Sequence, residues 1–252
     1  MKHKKNITKN ESYMVYGLNG SISILDSPLC NIKELIISQK FLEQKKDLLS
    51  SIQRTNKKVR VLSNDEFNKK YHDYRTQGII VYFDYLLRDH LPEIQKANNQ
   101  CYILLDSIKD PQNLGQIIRT SECSGINGVI FPERRSAGIT NAVLQVSQGG
   151  FCNLDLIMAK NIKYLINELK KDGFWIVGIE NSIDAKDWYN VDMKGKIAFV
   201  FGSEGDGIRP IIKKYCDFFA TIPMHGKSNS LNVSATVSAV LFERNRQIAI
   251  KK

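Results

Sequence analysis

Ile197-Ala-Phe-Val-Phe201, followed at once by Gly202-Ser-Glu204-Gly205-Asp206-Gly207, is the stretch that decides the fold. Five consecutive apolar residues do not alternate in polarity as a strand with one wet face does. They read as a strand buried on both faces. The loop behind it carries three glycines in six residues, which permits unusual backbone angles and a close approach to a ligand. The same texture recurs at Cys101–Leu105, Gly128–Phe131, Phe174–Val177 and Phe218–Met224. Helical segments at Leu114–Ser124, Asn141–Gly149, Ile162–Lys171 and Ile208–Tyr215 separate these runs. Apolar strands interleaved with helices predict a parallel sheet covered on both faces, with ligands at the carboxyl ends of its strands.

The region before Cys101 differs. It predicts a helix over Gly17–Leu25, a strand over Ile32–Ser38 and a Lys-bearing amphipathic helix over Phe41–Thr55. A strand over Lys58–Ser63, a helical turn opened by Asn64 with Glu66 in it, and a strand over Gly78–Phe83 follow. Asp84–Gln100 is charged, contains Pro92 and reads as a linker with partial helical character. The expected organisation is a basic disordered tail at 1–12, a small α/β unit at 13–83, the linker at 84–100 and the parallel-sheet domain at 101–252.

Hydrophobic residues make up 42% and charged residues 25% of the 252, which is ordinary for a soluble globular chain. No run reaches the roughly 18–20 apolar residues of a membrane span, and the Lys-rich start has no secretory core. The net charge of +10 points to an anionic partner such as nucleic acid; a generically basic proteome is the plainer reading. Cys30, Cys101, Cys123, Cys152 and Cys216 are odd in number and widely spaced, without CxxC. They read as reduced core thiols of a cytoplasmic protein, and no metal-ligand spacing occurs.

Three polar motifs fall at the expected strand ends. Asp110-Pro111-Gln-Asn113 opens a helix that carries Arg119; here Asn113 reads as an N-cap and Arg119 as either a solvated helix residue or a functional one. The glycine loop around Glu204 is not GxGxxG and reads as a tight strand-to-helix turn or a ligand loop. Gly226-Lys227-Ser228 imitates the end of a phosphate-binding loop, but Thr221 stands where its first glycine belongs, which excludes that motif. Ser230-Leu231-Asn232-Val233-Ser234 crowds polar groups between two apolar elements, where they must cap the helix over Val233–Ile248 or meet a ligand.

Taken together, Asn113…Arg119, Gly202-x-Glu204-Gly-x-Gly and Ser230-Leu-Asn232-Val-Ser resemble the three signature motifs of SpoU (TrmH-type) RNA ribose 2′-O-methyltransferases of the SPOUT superfamily. The resemblance runs from Cys101 to about Gln247 and includes Arg135-Ser-Ala-Gly138 and Gln145–Gly150. Val15–Asn19 and Gln77-Gly-Ile79 look like the ends of the ribosomal-protein-like RNA-binding domain of that family. The branch acting on a guanosine of large-subunit ribosomal RNA is the nearest match, although Arg75-Thr76 stands where that branch usually has a histidine.

The resemblance implies a trefoil knot formed from about Phe199 onward, which the rarity of knots would otherwise exclude. It implies S-adenosylmethionine held by Gly202, Ile222 and Leu231, and no metal. It also implies a reaction centre of Asn113, Arg119, Glu204, Ser230 and Asn232, with Arg119 more suited to a phosphate contact than to a base because guanidinium stays protonated. The implied partners are ribosomal RNA or a pre-ribosomal particle, and a second copy packed through the knot region. A transfer-RNA enzyme and an antibiotic-resistance relative that methylates ribosomal RNA are the alternatives.

Overall fold

The computed structural model describes residues 12–45, 52, 58–94, 97–182 and 184–250. The chain forms two compact units, one from Met1–Leu87 with Ile139–Asn153 and one from Arg88–Gly138 with Leu154–Lys252.

The first unit is built on a four-stranded sheet of β1 (Ser12–Tyr16), β2 (Cys30–Ser38), β3 (Val59–Leu62) and β4 (Ile79–Tyr85), in the order β1-β4-β2-β3. β4 runs antiparallel to both neighbours, and β2 and β3 are parallel. Gly17, at φ 87°, turns the chain into α1 (Leu18–Asp26), and α2 spans Gln39–Gln44. The longer helix expected to Thr55 lies largely outside the described residues. α3 (Asn64–Tyr71) starts in a capping box between Ser63 and Glu66, so the expected turn is a full helix. Its Phe67 and Tyr71 pack on Ile36 and Ile80 of the sheet.

The edge strand β1 would expose unpaired backbone groups. It is covered by α5 (Asn141–Val146): Asn141 Oδ1 accepts from Met14 N, and Gln145 exchanges two hydrogen bonds with the Tyr16 backbone. The 3-10 turn at Gly150–Asn153 stacks Phe151 on Phe83 with ring centroids 5.7 Å apart. These residues lie far along the chain yet belong by packing with the first unit.

The second unit holds seven parallel strands in the order β7-β6-β5-β10-β8-β11-β9. They are β5 (Gln100–Leu105), β6 (Gly128–Pro132), β7 (Asp155–Ala159), β8 (Trp175–Ile179), β9 (Lys186–Asp187), β10 (Lys196–Phe201) and β11 (Phe218–Thr221). All six residues of β5 are buried, as expected of a two-faced strand. α4 (Pro111–Cys123) and α8 (Val233–Ala249) pack against each other. α6 (Ile162–Lys171) buries Leu165, Ile166 and Leu169 against Ile130, Ile157 and Ile176. α7 (Pro210–Lys213) is a single turn, shorter than the expected Ile208–Tyr215, and β11 stops at Thr221, three residues before the expected end. β7 has no counterpart among the expected strands, because it opens on the charged Asp155. Asp84–Gln100 contains no helix among its described residues.

Cys30, Cys101 and Cys152 are buried and Cys216 is partly so, as core thiols should be, but Cys123 at the end of α4 is exposed. Burial pushes the Cys101 and Cys216 thiols up to about 12, which keeps them protonated and unreactive.

Candidate active site

The three motifs meet at the carboxyl ends of β5, β8, β10 and β11. Asp110, rather than Asn113, caps α4: its carboxylate accepts from Gln112 N at 3.1 Å and Asn113 N at 3.2 Å, with Pro111 at the first helical position. Proline there needs no backbone donor, so the aspartate serves the next two amides. Asn113 is thereby released from capping, and its side chain points to the neighbouring loop.

There Asn113 Nδ2 donates to Glu204 Oε1 at 2.8 Å. Asn232 Nδ2 donates to Asn113 Oδ1 and to Glu204 Oε1, each at 3.0 Å. One residue from each motif thus closes a three-membered polar ring. Asn232 is also the N-cap of α8, its Oδ1 accepting from Ser234 N at 2.8 Å and from Ser234 Oγ at 2.6 Å. Ser234 Oγ in turn reaches Gln116 Oε1 on α4. The polar cluster at 230–234 therefore caps a helix and joins the ring at once. Glu204 Oε2 has no protein partner among the described residues and remains available to accept a proton-bearing group.

Beside the ring lies a cavity of about 280 Å³ with apolar walls from Ile179, Phe201, Ile222, Met224, Leu231 and Val233. Gly202, Ile222 and Leu231, the expected cofactor residues, all line it, as do Ser230 and Glu204. Its size sits near the lower end of the ~300–1,000 Å³ typical of ligand pockets. Apolar walls interrupted by backbone and a few polar side chains suit a flat heteroaromatic ring. Glycine is required at 202: a Cβ there would meet Gly207 C at 2.0 Å and Ile208 N at 2.2 Å.

Not every expected residue joins the ring. Ser230 is exposed on the cavity rim. Arg119 is exposed on α4, six residues beyond Asn113. At about 1.5 Å rise and 100° per residue that places it roughly 9 Å along the helix and a third of a turn away. It has no charged partner among the described residues.

Several participants lie outside the expected set of site residues. Gln116, Ser234 and the Asp110 cap support the ring. Glu180, at the end of β8, lines the cavity while paired with Lys213 at 2.8 Å. Asp106, fully buried, accepts from Arg209 Nε at 2.7 Å and Arg209 N at 2.9 Å, which ties the loop after Gly207 to the end of β5. A buried carboxylate needs such a partner, so an acid directly after an apolar strand was the available signal for Asp106. The same signal marks Glu180, which follows the apolar β8 directly, whereas none marks Gln116. Among the described residues no group of three His, Cys, Asp or Glu is placed to hold a metal ion, and no helix is long and apolar enough to cross a membrane.

Comparison with known proteins gives the family and the fold. The sequence model of the SpoU rRNA Methylase family matches residues 100–242, and that of the RNA 2′-O ribose methyltransferase substrate-binding family matches residues 14–86. A Staphylococcus saprophyticus protein named for the TrmH family of tRNA/rRNA methyltransferases is 37% identical over 172 residues, covering 66% of this chain and 69% of its own. A Staphylococcus aureus protein of the same name is 38% identical over 161 residues, covering 64% of this chain and 63% of its own. In fold, the AdoMet-bound rRNA methyltransferase of Sinorhizobium meliloti superposes with a TM-score of 0.79 at 23% identity, over 95% of this chain and 88% of that one. The SpoU methyltransferase AviRb of Streptomyces viridochromogenes, also in complex with AdoMet, gives 0.79 at 19% identity over 94% and 90%. With one family model spanning more than half of its length and a second spanning the small sheet unit, the chain belongs to the SpoU rRNA methylase family.

Proposed function

We propose that this protein transfers a methyl group from S-adenosylmethionine to the ribose 2′-hydroxyl of a guanosine in large-subunit ribosomal RNA. The observation that carries this reading is the ring of Asn113, Glu204 and Asn232 standing beside a cavity lined by Gly202, Ile222 and Leu231. The cavity's apolar walls and backbone-rich loops fit a cofactor made of adenine, ribose and a short charged tail. When bound there, S-adenosylmethionine supplies an electrophilic methyl group, so the nucleophile needs placing more than it needs a metal.

The residues of the chain do that placing. Asn113 and Asn232 hold Glu204 by one oxygen, and the other, without a protein partner among the described residues, can accept from a ribose hydroxyl. Fixing the hydroxyl in a reactive orientation is worth several kcal/mol of the barrier on general grounds. Arg119, exposed and without a carboxylate partner among the described residues, is suited to an RNA phosphate next to the target ribose. Ser230 on the rim completes the nucleotide's contacts. Threading of the stretch from about Phe199 through the loops that bear these residues into a trefoil would make the cavity rigid. Association of two copies through this region is supported by Phe242, an aromatic side chain left 51% exposed on α8. The expected setting is the cytoplasm, where ribosomal RNA is made and assembled.

We read ribosomal rather than transfer RNA from the resemblance of the small sheet unit to a ribosomal-protein-like RNA-binding domain. The test is transfer of labelled methyl from S-adenosylmethionine to purified ribosomal and transfer RNAs, with the modified position mapped. Label on a ribose of large-subunit RNA is expected. Label on transfer RNA alone would overturn the substrate assignment, and label on a base would overturn the reaction.

A further inference from the structure

At the carboxyl ends of β6 and β7 lies a second cleft, of about 560 Å³, separate from the cofactor cavity. Arg134, Arg135, Lys160, Lys163 and Arg209 line it, against Glu133 as the only carboxylate on its walls among the described residues. Arg209 is committed to Asp106, and Lys160 has a distant partner in Asp89 at 3.7 Å. Arg134, Arg135 and Lys163 have no carboxylate partner among the described residues. Like charges gathered on one wall repel, whereas a merely solvated surface intersperses the two signs. An uncompensated group of this kind calls for an anion.

The backbone supports the same reading. Arg135 sits at φ 65°, in the left-handed region that side chains other than glycine and asparagine seldom adopt. Its loop is nevertheless held: Ala137 N donates to Ile108 O at 2.7 Å, and Ser136 Oγ donates to the same oxygen at 3.1 Å. Ile108 precedes the Asp110 cap that sets Asn113. The arginine loop and the polar ring are therefore mounted on one short segment. In sheet order β7, β6, β5 and β10 follow one another, and Glu204 stands in the loop that leaves β10. At roughly 4.8 Å per strand the two sites stand about two strands, or about 10 Å, apart across the sheet, a span of roughly three nucleotides at about 3.4 Å each.

We infer that this cleft grips the phosphodiester backbone of the substrate RNA beside the reacting nucleotide, and so sets which ribose reaches Glu204. The inference rests on the proposed RNA methyltransferase activity. Phosphates on a flexible strand, unlike a compact anion, satisfy several separated cations at once.

The test compares the wild-type chain, the variant Arg134→Gln/Arg135→Gln/Lys160→Gln/Lys163→Gln and a control, Lys186→Gln/Lys194→Gln, which removes exposed charge elsewhere on the same unit. RNA binding is titrated across salt concentrations with a ribosomal RNA fragment, and S-adenosylmethionine affinity is measured by calorimetry. For the cleft variant, RNA affinity falls at least about tenfold and the slope of log K against log salt flattens by roughly 0.7 for each phosphate no longer neutralised. Its S-adenosylmethionine affinity and melting temperature stay unchanged, and the control keeps wild-type RNA affinity. Unchanged affinity and slope in the cleft variant, while the wild type methylates RNA, overturns this inference and leaves the activity standing. An equal loss in the control overturns it too. A wild-type chain that neither binds nor methylates RNA overturns the activity and this inference together.

Discussion

Glu204 is held by two amides through one oxygen, and its other oxygen has no protein partner among the described residues, so the ring should be far more sensitive in activity than in stability. Asn113→Ala leaves Glu204 and Asn232 each short of a partner, which costs about 1–3 kcal/mol of folding free energy if the site dries and less where water replaces the amide. Loss of orientation costs about a hundredfold in turnover. A single-turnover methylation assay beside a thermal melt separates the two: a rate near wild type would remove Asn113 from the reaction centre. Arg119→Ala should leave the melting temperature where it is, since the side chain is exposed and without a charged partner among the described residues, yet weaken turnover through the RNA phosphate. Wild-type activity in that variant would strike Arg119 from the site. Gly202→Ala behaves oppositely. Its Cβ would fall 2.0 Å from backbone, so the loop must move; S-adenosylmethionine affinity should drop at least about tenfold, read by calorimetry, even where the protein still folds.

At the scale of elements, the decisive feature is a helix start. Asp110 caps α4 by two hydrogen bonds and in doing so presents Asn113. Removing an N-cap costs about 0.5–2 kcal/mol, so Asp110→Ala should lower stability by that modest amount while its methylation rate falls roughly as far as that of Asn113→Ala. A rate loss no larger than the stability change predicts would show that the cap does not position the ring. The apolar runs made the strands of the second unit legible, because two-faced burial demands them. They left β7 unseen because its Asp155 is bonded to Arg88 Nε at 2.7 Å; only the partner makes a charge acceptable there. The short α7 and the early end of β11 were equally illegible: Ile208 and Ile222 are apolar for loop burial and for the cavity wall, not for helix or strand periodicity.

For the whole molecule, the exposed face of α8 carries the prediction. Phe242→Glu places a charge where an aromatic ring is 51% exposed. If two copies pack through that face, sedimentation should shift from dimer to monomer with the melting temperature of the isolated fold preserved. An unchanged sedimentation coefficient would place the interface elsewhere.

Sequence by itself determined the parallel sheet and the polarity of its strand ends. It also determined the three motifs that identify the family, since each is a local pattern of burial or spacing. Which residues of those motifs touch was decided only in three dimensions. Asn113, Glu204 and Asn232 are separated by up to 119 positions yet bond within 3.0 Å, while Arg119, six positions from Asn113, stands apart on an exposed face. Likewise residues 139–153 left their sequence neighbours to cover β1. The physical reason is the same throughout: a buried polar group or a bare strand edge takes whichever partner the packed chain brings near, and sequence distance does not enter that free energy.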